Sequence, residues 1–303
     1  MGYLGKHHAR ILAAMPDVEL VAVVDTNRPR AEEIAAATGT TALFDARALI
    51  GMVDAVSIAV PTERHKDVAL PLLMAGVPAL VEKPMAASLV DADALIAAAA
   101  ARGVALAVGH TERFNPAVQT AQPLLTDPRF IEGHRLGTFP ERSLDIDVVF
   151  DLMIHDLDVL LSIVTSEVES IEAVGVPVLT GRVDIANARI RFGNGCIANL
   201  TASRISRDRV RRIRFFQPAA YLSIDYAAQK IEMYRLVKGD GPVPSIQGGD
   251  VSVPNEEPLK RELADFVDAV RSRRPPLVTG EQGRRALALA QRITERMAGE
   301  IGN

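Results

Sequence analysis

The sequence predicts two domains of different class. Residues 1–125 read as an open, mostly parallel α/β sheet with helices on both faces. Residues 126–303 read as an α+β unit on a mainly antiparallel open sheet. Three observations carry this. Aliphatic runs alternate with helix-length segments through the first part, the pattern of parallel strands buried on both faces. After about residue 125 the period changes, and alternating strand-like segments take over. At 303 residues and 48% hydrophobic content, the chain is long enough to fill two cores.

Each element follows from local signals. Residues 6–15 suit a helix that ends near Pro16. Residues 20–24 form a continuous aliphatic strand, and residues 29–38 a helix stopped by Gly39. A second buried strand spans 53–60 and ends at Pro61; a helix then runs from about Glu63 to Gly76. Pro71 inside that helix removes a backbone donor and clashes with the preceding turn, at about 3 kcal/mol in a regular interior, which predicts a kink or an early end. Ala79-Leu80-Val81 is a short strand. Ser88 and Asp91 form a capping pair for a helix through Ala101, and residues 104–108 make a further strand. In the second domain, residues 149–162 predict a helix. Residues 186–202 split into two strands around Phe192-Gly193-Asn194-Gly195, with Asn194-Gly195 as the reversal. Residues 211–217 and 221–235 add strand, and helices near 256–272 and 281–297 are expected to pack around both domains.

Composition removes several classes. The net charge is −4 with both signs interspersed, so no footprint for nucleic acid is visible. The densest basic run, Arg207 to Arg214, reads as the polar face of an antiparallel strand or as an anion contact. The single cysteine, Cys196, cannot form an internal disulfide and reads as a buried small hydrophobe in a reducing compartment. Residues 92–101 are Ala-rich but too short and too polar to insert into a membrane. No secretory signal precedes the first element, so the expected location is cytoplasmic.

The chain opens in the middle of a motif. Gly2-Tyr3-Leu4-Gly5 reads as the last two glycines of a dinucleotide-binding turn running into a helix, without the strand and first glycine that should precede them. A missing central strand removes three or four buried aliphatics at about 1.5–3 kcal/mol each, against a domain stability of about 5–15 kcal/mol. The expectation is that a polypeptide confined to these residues folds or binds its nucleotide poorly.

Candidate site residues gather at the carboxyl ends of the predicted parallel strands. Gly2, Tyr3, Leu4 and Gly5 offer backbone amides to a pyrophosphate. Asp25, closing the first strand, can accept both hydroxyls of an adenosine ribose and would repel a 2′-phosphate, which favours NAD over NADP; Arg28 nearby keeps NADP open. Pro61 and Thr62 close the next strand beside the expected nicotinamide, and Thr62 also suits a helix cap. His65, one turn on, reads as a locally bonded or exposed histidine. Glu82-Lys83-Pro84 is sharper: proline holds Lys83 extended, Glu82 can steady its ammonium, and Lys83 can stabilise charge on a carbinol oxygen. Asp151 and His155 lie one helical turn apart, a carboxylate for hydroxyls and an imidazole for the alcohol proton. A plain helix-stabilising pair and metal ligation compete for Asp151 and His155; His7 and His8 are adjacent and build no zinc cluster.

These segments, GYLGKHHAR, VAVVD, AVPTERH, EKPMA, GHTERFNPA and DLMIHDLDVL in that order, resemble the glucose-fructose oxidoreductase / inositol dehydrogenase / rhizopine catabolism (Gfo/Idh/MocA) family along essentially the whole chain. The resemblance implies an NAD(P)-dependent oxidoreductase with a Rossmann domain and a substrate domain whose open sheet often mediates oligomerisation, as a homodimer or homotetramer. It places Gly2 and Gly5 on the pyrophosphate, Asp25 on the ribose, and Lys83 in the active site. Asp151 and His155 become the substrate-binding and proton-transfer pair, with Arg113 and Asn115 approaching substrate. The segments ERFNPA, FPERSLDIDVVFDLMIHDLD and NEEPLKREL resemble the subgroup acting on nucleotide-activated amino sugars, which includes UDP-N-acetylglucosamine 3-dehydrogenases. There Arg135, Arg142 and the basic run meet a diphosphate, or are rim charge. The expected reaction is hydride transfer to NAD from a secondary sugar hydroxyl, with substrate entering between the domains. A free sugar or inositol dehydrogenase remains open, as do a non-catalytic nucleotide-sensing protein and a metal-dependent lyase or hydrolase.

Overall fold

The computed structural model describes residues 1–139, 146–237 and 245–300. Two compact units divide the chain: Met1–Thr111 with Glu257–Arg284, and Glu112–Glu256 with Arg285–Asn303.

The first unit opens on helix α1 (Tyr3–Ala13), ahead of any strand. There follow β1 (Ala22–Val24), α2 (Arg28–Thr38), β2 (Thr41–Leu43), β3 (Val56–Ile58), α3 (His65–Met74), β4 (Ala79–Glu82), α4 (Leu89–Arg102) and β5 (Leu106–Gly109). The pairings between these strands are parallel and fall into two ladders, β1-β2 and β3-β4-β5. The helix stops are those the sequence signals. Asn27 caps α2 through the Arg30 amide, Ser88 caps α4 through the Asp91 amide at 3.1 Å, and Gly39 and Gly103 close these helices in the left-handed region. Helix α3 does not end at Pro71 but runs on to Met74. The carbonyl that Pro71 leaves without its donor belongs to Asp67, an exposed first-turn residue that solvent can reach.

Helix α7 (Pro258–Ser272) returns to this unit and packs Leu263 and Phe266 on Ile11, Leu80 and Ala107. Helix α8 (Gly280–Glu300) begins beside β5. A Cβ at Gly283 would lie 2.6 Å from the Val108 side chain, so glycine permits that close approach.

The second unit contains α5 (Pro116–Ala121), β6 (Phe130–Leu136), α6 (Ile154–Ile163), β7 (Val168–Val176), β8 (Ile185–Phe192), β9 (Ile197–Ser203), β10 (Val210–Gln217), β11 (Ala220–Asp225), β12 (Lys230–Val237) and β13 (Ser245–Val251). The strands form one sheet in the order β13-β12-β11-β10-β6-β9-β8-β7. Each pairing is antiparallel except β6 with β9, which run parallel. Strand alternation gives the sheet a buried face, where Ile131, Ile190, Leu200, Ile213 and Phe215 pack with Leu157 of α6 and Ile293 of α8. The Asn194-Gly195 reversal is present: Gly195 has φ +85 and donates to the Phe192 carbonyl at 2.9 Å. Cys196 beside it is fully buried, and burial pushes its thiol up to about 11, which suits the packing role.

Asp184, at the foot of β8, is the sharpest polar feature of this fold. It has no exposed surface, and one carboxylate oxygen accepts the amides of Val178, Leu179 and Thr180 at 2.9, 2.7 and 2.9 Å. The Thr180 hydroxyl donates to the other oxygen at 2.7 Å. Burial disfavours the charge, but the amides of Leu179, Thr180 and Val178 and the Thr180 hydroxyl outweigh it and hold the carboxyl at about 2. Replacing Asp184 with Ala strands these donors and is expected to lower stability by about 2–3 kcal/mol in urea melts at pH 7. A lowered carboxyl stabilises the fold above its ordinary value of 3.8, and that contribution disappears as pH falls through about 2. The gap between parent and D184A should therefore narrow over that window; a gap independent of pH would contradict the assignment.

Candidate active site

In the first unit the predicted cofactor residues occupy the start of α1 and the end of β1. Gly2 is the N-cap of α1; no side chain caps this end and no acidic residue lies in its first turn. A Cβ on Gly2 would meet no protein atom within 4 Å. Tyr3 and Leu4 are exposed and Gly5 is buried. In α2 and α4, by contrast, the N-cap side chain accepts a first-turn amide. Asp25 follows β1, accepts the Asn27 amide at 2.8 Å, and is ion-paired with the Met1 ammonium. Arg28 stacks its guanidinium on the Phe44 ring, 4.0 Å from the centroid.

A second group forms at the ends of β3, β4 and β5. Glu82, 5% exposed, closes β4 and accepts from His8 Nε2 at 3.1 Å on one oxygen and from the Lys83 amide at 3.2 Å on the other. His8 Nδ1 lies 2.7 Å from the Ser57 hydroxyl on β3. Glu82 pairs with Gly109 across the ladder, where a Cβ would sit 2.8 Å from the carboxyl carbon. The Lys83–Pro84 peptide is cis. His65 is buried, not exposed: Nδ1 is 2.9 Å from the Pro84 carbonyl and Nε2 is 2.9 Å from the Val60 carbonyl. Burial pulls its pKa below the ordinary value, against the opposing pull of those two carbonyls. Pro61 precedes a 3₁₀ turn from Thr62 to Arg64, and Thr62 is not the cap of α3.

In the second unit, residues Val149–Met153 form a π-helical turn that leads directly into α6. Asp151 lies in the π turn and His155 in the first turn of α6, both half-buried. Wide turns of this kind recur at functional sites because they re-aim side chains relative to a regular helix. The next residue, Asp156, is buried and holds Arg135 by two bonds of 2.8 and 3.0 Å; the Arg135 guanidinium also reaches Glu112 at 2.9 Å. Arg135 is therefore neither a rim charge nor an exposed diphosphate contact. Burial would lower its pKa, but Asp156 and Glu112 outweigh this and keep it charged. It also lies over the Tyr226 ring, whose phenol is pushed well up by burial and by the Asp156 charge.

Arg113 and Asn115 lie in the same framework. Arg113 is buried and faces Asp158 at 3.5 Å. Asn115 caps α5 and donates to the Tyr226 carbonyl and to Glu112. Arg142 lies outside the described residues. Sequence reasoning missed Ser57, the linkage of His8 to Glu82, and the grouping of Glu112, Asp156 and Tyr226 around Arg135. Among the described residues, no cluster of three or more His, Cys, Asp or Glu could hold a metal, and no helix is long and apolar enough to cross a membrane.

The profile described as "Oxidoreductase family, NAD-binding Rossmann fold" matches residues 1–110, and that of the "GFO/IDH/MocA C-terminal domain" matches residues 125–218. The chain belongs to the Gfo/Idh/MocA oxidoreductase family. It is 41% identical over 297 residues to the UDP-N-acetylglucosamine 3-dehydrogenase of Acidithiobacillus ferrooxidans, covering 97% of this chain and 94% of that one. A solved structure of that enzyme superposes with a TM-score of 0.92 at 39% identity, covering 98% and 96% of the two chains. Myo-inositol 2-dehydrogenase of Thermotoga maritima is 25% identical over 312 residues, covering 95% and 92%. The first unit is thus an NAD-binding Rossmann unit of this family. The uncapped amides of α1 and the carboxylate closing β1 fit NAD: the amides suit its pyrophosphate, the carboxylate a ribose.

Breaking a buried ion pair leaves the surviving charge without a partner, at a cost of about 3–5 kcal/mol. Arg135→Ala should therefore lower the unfolding free energy by about that amount in chemical denaturation. A loss below about 1 kcal/mol would show that the Asp156 and Glu112 contacts contribute little.

Proposed function

We propose that this chain oxidises a secondary hydroxyl of a nucleotide sugar to a ketone, with UDP-N-acetylglucosamine C3 as the site of reaction and NAD as hydride acceptor. The observation that carries this reading is 41% identity to a UDP-N-acetylglucosamine 3-dehydrogenase along 97% of the chain, with Lys83, Asp151 and His155 all present. NAD, when bound, takes the hydride from the carbinol carbon. The first-turn amides of α1, from Tyr3 to Gly5, and the flanking Gly2 hold its pyrophosphate; Asp25 receives the ribose, and Pro61 and Thr62 border the nicotinamide. Glu82 supports Lys83, whose ammonium donates to the substrate oxygen and stabilises negative charge developing there. His155 removes the hydroxyl proton, and Asp151 accepts from neighbouring sugar hydroxyls. Arg113 and Asn115, committed to Asp158, Glu112 and Tyr226, shape the substrate side from within the framework.

Strand alternation supports a diphosphate-bearing substrate. Arg212 and Arg214 point to one face of the sheet and pair with Asp225 and Glu132 at 3.4 and 2.6 Å. Arg211 lies on the other face, opposite Arg135 in register, and is exposed. That is the face against which α6 packs, so a guanidinium with no ion pair among the described residues stands on the side of the sheet that carries His155. Similarity to myo-inositol 2-dehydrogenase favours a second reading, oxidation of a free polyol.

Single-turnover NADH formation tests both the roles and the substrate. With UDP-N-acetylglucosamine, Lys83→Ala and His155→Ala are each expected to slow the step by about 10²–10⁴-fold. Retained NAD binding is also expected. Near-parental rates for both variants would remove the assignments. Faster turnover of myo-inositol or free N-acetylglucosamine would replace the substrate.

We also infer self-association through the exposed face of the eight-stranded sheet, giving a dimer or tetramer. Phe130, Phe216, Tyr221 and Tyr234 form a continuous aromatic row there, with successive centroids 5.6, 5.2 and 6.3 Å apart. Phe216→Glu with Tyr221→Glu should shift sedimentation toward the monomer; an unchanged oligomer would reject this face. A reducing, cytoplasmic setting suits a chain whose single cysteine is buried.

A further inference from the structure

We propose that His8 is a positioning residue for Lys83, acting through the buried carboxylate of Glu82, so that the helix presenting amides to the cofactor also fixes the active-site lysine. This rests on the proposed role of Lys83. The geometry is a chain of contacts from α1 to the end of β4. His8 is 3% exposed and has both ring nitrogens engaged, with Ser57 at 2.7 Å and Glu82 at 3.1 Å. A carboxylate can only accept, so the ring carries its hydrogen on Nε2 and donates it to Glu82. In the neutral ring Nδ1 then accepts from the Ser57 hydroxyl, which fixes the ring's orientation.

Glu82 cannot move away from this arrangement. Its other oxygen accepts the Lys83 amide at 3.2 Å, and its carboxyl occupies the space that any side chain at position 109 would need. On the far side of Lys83, the Pro84 carbonyl lies 2.9 Å from His65 Nδ1. The lysine therefore leaves the backbone between two residues that are each tied to a buried imidazole. Removing the His8 donor leaves a buried carboxylate one donor short, and Glu82 must rotate or draw in water to recover it. Rotation of the carboxylate breaks its bond to the Lys83 amide and loosens that backbone. Displacements of about 1 Å at a reacting group cost up to about 10²-fold in rate.

The test is a double-mutant cycle on the full chain with NAD and UDP-N-acetylglucosamine, with thermal melts on every variant. His8→Ala is expected to lower kcat by about 10–100-fold while the Kd for NAD and the KM for sugar stay within about twofold. His8→Gln, whose amide can still donate to Glu82, should restore most of the rate. In a Lys83→Ala background, His8→Ala should cost less than about twofold, because the lysine it positions is gone. Should His8→Ala fail to fold, Ser57→Ala removes only the hydroxyl behind the ring; it should lower kcat in the parent and not in Lys83→Ala. Losses that multiply in the cycle, or a fall in NAD affinity equal to the fall in kcat, would overturn the inference. A slow Lys83→Ala with a parental His8→Ala would overturn it alone. A parental Lys83→Ala would overturn the lysine's role together with it.

Discussion

A carboxylate buried at the end of a parallel strand constrains the whole first unit. Glu82 sits where the sheet ends, nearly out of water, and an ionised group there is tolerated only if neighbouring donors reach it. One donor is a side chain of α1 and the other is the next backbone amide. That requirement fixes the rotation of α1 about its axis, the identity of residue 109 as glycine, and the exit direction of the chain at Lys83. Helix α1 is thereby locked to the strand that ends at Glu82.

The second unit follows the same physical rule with different residues. There the buried carboxylate is Asp156, compensated by Arg135, which Glu112 also engages. In each unit the group given a chemical role stands one residue from a buried carboxylate: Lys83 after Glu82, and His155 before Asp156. Burying the neighbour while leaving Lys83 and His155 less enclosed fixes the backbone at the point of attachment. Such networks stabilise little in net terms, since desolvation offsets most of the Coulomb attraction, but they punish misplacement heavily. Their benefit here is geometric.

The fold was legible where the signal is local. Aliphatic runs gave the parallel strands, Asn194-Gly195 gave the hairpin, and Ser88 and Gly39 marked helix ends that the structure contains. Short strands such as β2, with no fully buried residue, carry no period to read. Of the kink or early end expected at Pro71, the early end is absent, and the orphaned carbonyl falls on exposed Asp67. Among the candidate residues, Glu82, Lys83 and Pro84 are adjacent in sequence, whereas Asp151, expected one regular helical turn from His155, lies in the π turn instead. Arg135 was misread as surface charge: its partner Asp156 is distant in sequence, and nothing in the residues around Arg135 marks the pairing. His8 was set aside because it neighbours His7 and the two build no zinc cluster; its partner Glu82 lies 74 positions away. The π turn has no sequence signature at all.

The central claim is that hydride leaves C3 of a nucleotide sugar for NAD. It is tested most directly by incubating the full chain with NAD and UDP-N-acetylglucosamine carrying deuterium at C3, then examining the reduced cofactor by mass spectrometry. The account predicts one deuterium in each reduced cofactor molecule and a 3-keto sugar nucleotide in equal amount. Reduced cofactor without deuterium, or a 3-keto product without cofactor reduction, would contradict it.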